Sequence, residues 1–176
     1  DVEVSRPVLE SAGLVQVPTV TAALGFAVNL PDTEIDLLRL RRSDLRGIFD
    51  GEIRVWSDAR LRASNPGLLL PDLAITPVVR RDVSGTSRLT EAWLAGSHTA
   101  PQVGEQYSDV PFEATPGLAV FGSHGVAQTV HRLRGSIGYL ELSIAQLFGL
   151  GVLALERSDG RFAEWRHARA TEQNDW

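Results

Sequence analysis

The chain has 176 residues, with 17 basic against 22 acidic side chains, for a formal net charge of −5. With 43% hydrophobic and 22% charged residues it has the composition of one globular domain, not of a disordered segment. The acidic balance argues against general affinity for nucleic acid or anionic membrane, so any anion site must be local.

Cysteine and methionine are both absent, which removes disulfides, zinc-thiolate sites and thiol chemistry without fixing a redox compartment. A chain that opens Asp1-Val2-Glu3 without an initiator is expected to have been processed or excised from something longer, so a signal or anchor could have preceded it. Every basic residue is arginine and none is lysine. This bias fits a GC-rich genome better than selection for planar recognition, and it rules out a Walker-type lysine. The longest nearly apolar stretch, Leu147 to Leu155, is far short of the roughly 20 residues of a spanning helix.

Turn signals and apolar periods predict alternating short strands and helices, the pattern of an α/β layer structure. Val17 to Leu30 is rich in β-formers and stops at Pro31, which predicts one or two strands. Ser43 reads as the N-cap of a short helix through Phe49 that ends near Gly51, and Ser57 as the cap of another through Arg62. Pro66-Gly67 marks a turn. Ile75 to Val79 reads as a buried strand running into Arg80-Arg81-Asp82-Val83-Ser84-Gly85-Thr86, after which Leu89, Ala92 and Trp93 recur at helical spacing. Gly96 to Phe112 is expected to be a long loop. Ser123 is expected to cap a helix with Val126, Val130 and Leu133 on one face, ended by Gly135-Ser136. Ile137 to Leu142 reads as a strand, followed by a short helix around Ile144, Leu147 and Phe148 and a last strand near Val152 to Leu155.

A strand that delivers Arg80 into a loop whose Ser84, Gly85 and Thr86 open a helix is a ready anion site. Helix-start amides point outward together, and the macrodipole adds roughly half a positive charge there. Glycine permits close backbone approach, two hydroxyls offer further bonds, and the arginine brings a planar fork to an oxyanion. Asp82, two residues on, could orient that guanidinium. On this segment alone a plainer reading stays open, with Ser84 a simple N-cap and Arg80 a solvated strand end.

The surrounding sequence adds weight. Residues 47–58 (Gly-Ile-Phe-Asp-Gly-Glu-Ile-Arg-Val-Trp-Ser-Asp), 65–68 (Asn-Pro-Gly-Leu) and 75–87 (Ile-Thr-Pro-Val-Val-Arg-Arg-Asp-Val-Ser-Gly-Thr-Ser) resemble the second lobe of PstS-type phosphate-binding proteins of ABC transporters. The resemblance extends to residues 12–14, 17–20, 27–31, 125–127, 135–141 and 171–172, in consistent order over most of the chain. It implies an α/β fold: a single lobe of a type II periplasmic-binding protein, with a mixed, mostly parallel sheet flanked by helices. Residues 1–176 would form that lobe, with residues 1–16 the end of the first lobe or a hinge. Carried over by motif, Arg80, Ser84, Gly85 and Thr86 would be phosphate ligands, and Asp82 the acidic partner of the arginine. The implied function is extracytoplasmic capture of phosphate or a related tetrahedral oxyanion for an ABC permease, with no catalysis, cofactor or metal and no nucleic-acid partner. The ligands of the first lobe have no counterpart here, so a missing lobe or other chain region is a further implied partner. The alternative is a diverged lobe serving as an interaction or sensing domain, with weak or no anion binding.

One departure bears on specificity. Family members carry a Ser-Asp pair shortly before the Ala-Gly-Leu segment, whose carboxylate accepts the proton of hydrogen phosphate. The nearest match here is Ser5-Arg6. Either that acceptor is lost and Arg6 favours greater negative charge, or Arg6 is simply exposed near a cut end.

Other constellations are weaker. His98, His124, His131 and His167 lack metal-ligand spacing. Ser84 has no nucleophile-elbow context. Asp32, Glu34 and Asp36 read as a solvated surface, and Arg39, Arg41 and Arg42 as an exposed charged edge.

Overall fold

A computed structural model describes residues 6–15, 17, 22–96, 115–157 and 159–163. The expected loop over Gly96 to Phe112 falls outside them beyond Gly96, as do Ser5, His98, His167 and residues 171–172.

The chain runs α1 (Arg6–Ala12), β1 (Leu24–Val28), β2 (Arg39–Leu40), α2 (Arg42–Phe49), α3 (Ala59–Ser64), β3 (Thr76–Arg80) and α4 (Gly85–Leu94). It continues with β4 (Leu118–Val120), α5 (Gly122–Arg132), β5 (Ser136–Glu141), α6 (Leu142–Leu147), β6 (Gly151–Val152), β7 (Ala154–Glu156) and β8 (Phe162–Ala163). Five strands form one sheet in the order β4-β3-β5-β1-β6. β3 pairs in parallel with β4 and β5, and β1 is antiparallel to both β5 and β6. This is the mixed sheet expected, with two parallel and two antiparallel pairings. A small second sheet joins β2, β7 and β8.

Alternation along the strands divides the core into two layers. Phe26, Val28, Val79, Ile137 and Tyr139 face α2 and α3, where Leu45, Ile48, Phe49 and Leu61 are buried. Ala27, Val78 and Leu140 face the other way, onto Val126, Ala127 and Val130 of α5 and Ala145 of α6. Gly138 lies on that second face, where a Cβ would come within 2.6 Å of Val126 Cγ1, so the bare backbone is what lets α5 lie close to β5. No helix among the described residues is long and apolar enough to cross a membrane.

Several boundaries differ from expectation for a common reason: a neighbouring carboxylate or the chain direction sets the cap, not the nearest serine. Ser43 lies inside α2, whose N-cap is Arg41; Asp44 Oδ2 accepts the Arg41 amide at 3.2 Å and the Ser64 hydroxyl at 3.0 Å. Asp58 caps α3 by accepting the Arg60 amide at 2.8 Å, which leaves Ser57 to donate to Asp72. Ser123 sits within the first turn of α5, whose N-cap is Phe121. The last predicted strand is broken at Leu153, where the chain passes from the large sheet to the small one.

Candidate oxyanion-binding site

Three parallel strands, β3, β4 and β5, end on the same edge of the sheet, and α4, α5 and α6 begin there. From β3 the chain goes to β4 on one side and β5 on the other, and ligands of open α/β sheets bind outside the carboxyl ends of the strands at such a reversal.

The exit of β3 is fixed by β5. The Arg80 amide donates to Tyr139 Oη at 3.1 Å, and that hydroxyl lies 2.7 Å from Ser87 Oγ in the first turn of α4. Tyr139 is fully buried, so one phenol ties two strands and a helix start together. Ser84, with extended backbone, caps α4 by accepting the Ser87 amide at 3.2 Å. The plainer reading of Ser84 as an N-cap is therefore correct as far as it goes. The cap uses a lone pair of Oγ, and the amides of Gly85 and Thr86 still have no acceptor within the helix.

Arg80, at the end of β3, is well buried, with its side chain 14% exposed. Its Nε donates to Asp82 Oδ1 at 3.2 Å, Nη2 pairs with Asp82 Oδ2, and Nη1 reaches Ser123 Oγ at 3.4 Å. Asp82 also accepts the Gly122 amide at 2.9 Å, so it anchors the guanidinium to the first turn of α5. The arginine hydrogen bond, helped by the Gly122 amide, outweighs burial and holds the Asp82 carboxyl down at about 2. The same bond raises Arg80 above its ordinary value.

Because the folded value of Asp82 lies below its unfolded one, its stabilising contribution is complete above the usual carboxylate range and is lost as pH falls toward 2. Asp82→Ala should therefore narrow the stability gap between neutral and strongly acidic solution, as read by thermal melts across pH. Since Asp82 orients Arg80 and presents no donor to an anion, the same substitution should weaken anion binding less than Arg80→Ala does. Equal losses would contradict that assignment.

Glu141 closes β5 beside these groups. Its Oε1 accepts the Thr86 hydroxyl at 2.9 Å, and Oε2 is buried with no hydrogen-bond partner among the described residues. Burial pushes its carboxyl up, but the Ser123 and Thr86 hydroxyls, its own backbone amide and the charge of Arg80 outweigh this and leave it below the ordinary value.

The structure thus brings Arg80, Asp82, Ser84, Gly85 and Thr86 to one edge of the sheet. Sequence reasoning assigned no role to Tyr139 or Glu141 and placed Ser123 only as a cap. A usable signal was a polar residue closing an apolar strand just before a helix, at Glu141. Arg6 is the first residue of α1. His124 and His131 both lie on α5, and no group of three or more metal-ligand side chains occurs among the described residues.

Comparison with known proteins fits this geometry. Residues 3–160 match the PBP superfamily domain. The phosphate-binding protein PstS of Xylella fastidiosa is 35% identical over 173 residues, an alignment covering 96% of this chain and 47% of that protein. PstS of Haemophilus influenzae is 34% identical, covering 89% of this chain and 46% of its own length. Among solved structures, a substrate-binding protein from Clostridium perfringens with bound phosphate superposes with a TM-score of 0.60 at 18% identity, over 90% of this chain and 54% of that one. The chain spans about half the length of the curated relatives it matches. With its five-stranded mixed sheet and this breadth of match, the chain belongs to the PBP superfamily, as a PstS-type domain that corresponds to one lobe.

Proposed function

We propose that this domain binds phosphate or a related tetrahedral oxyanion at the N-terminus of α4, as one lobe of an extracytoplasmic solute-binding protein that delivers its anion to an ABC permease. The observation that carries this is the Arg80 guanidinium, oriented by Asp82 at the head of the loop that opens α4, where the amides of Gly85 and Thr86 have no acceptor within the helix. Ser84 adds a hydroxyl. Residues 1–16 would be the end of the companion lobe or a hinge to it. A second reading, an interaction or sensing lobe with a weak pocket, is favoured by one specific feature: Arg80 and Thr86 already have internal carboxylate partners in Asp82 and Glu141.

A single lobe supplies part of the donors and leaves water on the other side of the anion. Titration calorimetry of the 176-residue chain with phosphate should accordingly give a dissociation constant on the order of millimolar, weakening with added salt. Micromolar affinity would mean that a second surface completes the site. No heat at concentrations well above millimolar would favour the interaction reading.

A further inference from the structure

The polarity of the Thr86 hydroxyl leads beyond a general oxyanion site. A hydroxyl has one proton to donate and two lone pairs to accept with. In this structure the Thr86 proton is directed at Glu141 Oε1, 2.9 Å away, across 55 residues of sequence. Thr86 is itself buried, and an ionised carboxylate only accepts, so the hydroxyl proton stays committed to that bond. Toward a ligand at the helix start, Thr86 Oγ1 then presents lone pairs. A fully ionised oxyanion meets those lone pairs with its own. An oxyanion bearing a hydroxyl can donate to them and extend the chain to Glu141.

The local charges act in the same direction. Arg80 from β3 faces Glu141, the hydroxyls of Thr86 from α4 and Ser123 from α5 lie against it, and Asp82 pairs with the same arginine. Two carboxylates thus flank one guanidinium, and only the helix-start amides remain to compensate a dianion.

We propose that Glu141 is a specificity-determining residue of this site: by fixing the Thr86 hydroxyl as an acceptor and setting a second carboxylate beside Arg80, it selects oxyanions that carry a proton over fully ionised ones. This rests on the assignment of the α4 N-terminus as the anion site. Glutamine at this position removes the charge and can donate an amide hydrogen to Thr86 Oγ1, which releases the hydroxyl proton for the ligand.

The test is calorimetric titration of the unaltered chain and of Glu141→Gln with phosphate and with sulfate at low salt. The unaltered chain is expected to bind phosphate more tightly than sulfate. In Glu141→Gln the affinity for sulfate should rise roughly fivefold, the size of one like-charge contact at a solvated site, so that the ratio narrows. A common weakening of both anions, or an unchanged ratio, would show that Glu141 is only structural and overturn the inference. Should the variant fail to fold, the unaltered chain still decides. Its phosphate affinity should fall from about pH 6 to about pH 8, as dihydrogen phosphate gives up one of its two protons, yet stay above that for sulfate, which has none. Equal affinity for the two anions across that range would overturn the proposal, and no binding of either would overturn the site as well.

Discussion

Arg80→Ala is expected to lower phosphate affinity at least roughly 100-fold, which takes a millimolar site out of reach of titration. Two effects add. The anion loses the charged donors of the guanidinium, each contributing about 1.5–3 kcal/mol. The substitution also strands Asp82, whose ionised form is held by that guanidinium, so that Asp82 and Glu141 would confront the anion with no cation between them. Arg80→Lys should rescue little, because a single ammonium cannot fill both sides of the Asp82 carboxylate and reach outward as well. The control is Arg81→Ala. The guanidinium of Arg81 is stacked over the exposed ring of Phe121, with its carbon 3.9 Å from the ring centroid, so its removal should change affinity by no more than about threefold, a screened surface effect. Chemical-shift titration of both variants with phosphate distinguishes the outcomes. Retained affinity in Arg80→Ala would place the site elsewhere, and equal losses in the two would mean that only general positive charge matters.

That contrast shows how far the sequence could be read. The strand, the Ser-Gly-Thr turn and the helix after it are contiguous, and each carries its own local signal: β-branched residues in β3, a capping serine, then helical spacing of Leu89, Ala92 and Trp93. The arginine and its aspartate are two residues apart, so their pairing too was open to local argument. Glu141 and Tyr139 belong to a strand more than fifty residues downstream, and they reach the site only because β5 pairs in parallel with β3. A residue's neighbours across a sheet depend on strand order, which a single sequence does not encode locally. The misplaced caps have a smaller cause. Ser43, Ser57 and Ser123 are all suited to capping, but Asp44 and Asp58 accept the amides at the starts of α2 and α3, and α5 begins directly after β4.

The largest stability effect is expected from Trp56→Ala, far from any ligand. Trp56 is fully buried among the core residues beneath the sheet, and its Nε1 donates to the Gly135 carbonyl at 3.0 Å, across 79 residues. Gly135 has a positive φ of 80°, and a Cβ there would collide with the Ala74 carbonyl, so the backbone entering β5 is held in one conformation that the indole bond secures. Removing the ring leaves a large cavity, at a cost of about 3–5 kcal/mol, and takes one of two donors from the Gly135 carbonyl, which keeps the Thr76 amide at 3.1 Å, adding about 0.5–1.5 kcal/mol. Against a typical domain stability of about 5–15 kcal/mol, that removes a large share of the folding free energy. Trp56→Phe keeps most of the volume and should show mainly the smaller cost, which separates packing from the hydrogen bond in urea titrations. Because β5 carries Tyr139 and Glu141 to the site, a loosened entry to that strand should also disturb anion binding in the fraction that stays folded. Added phosphate cannot repair the loss: at ten times its dissociation constant a ligand stabilises by only about 1.4 kcal/mol. Full recovery of the Trp56→Ala variant at such a concentration would therefore mean either a far tighter site than one lobe can form or an indole that contributes little to the core.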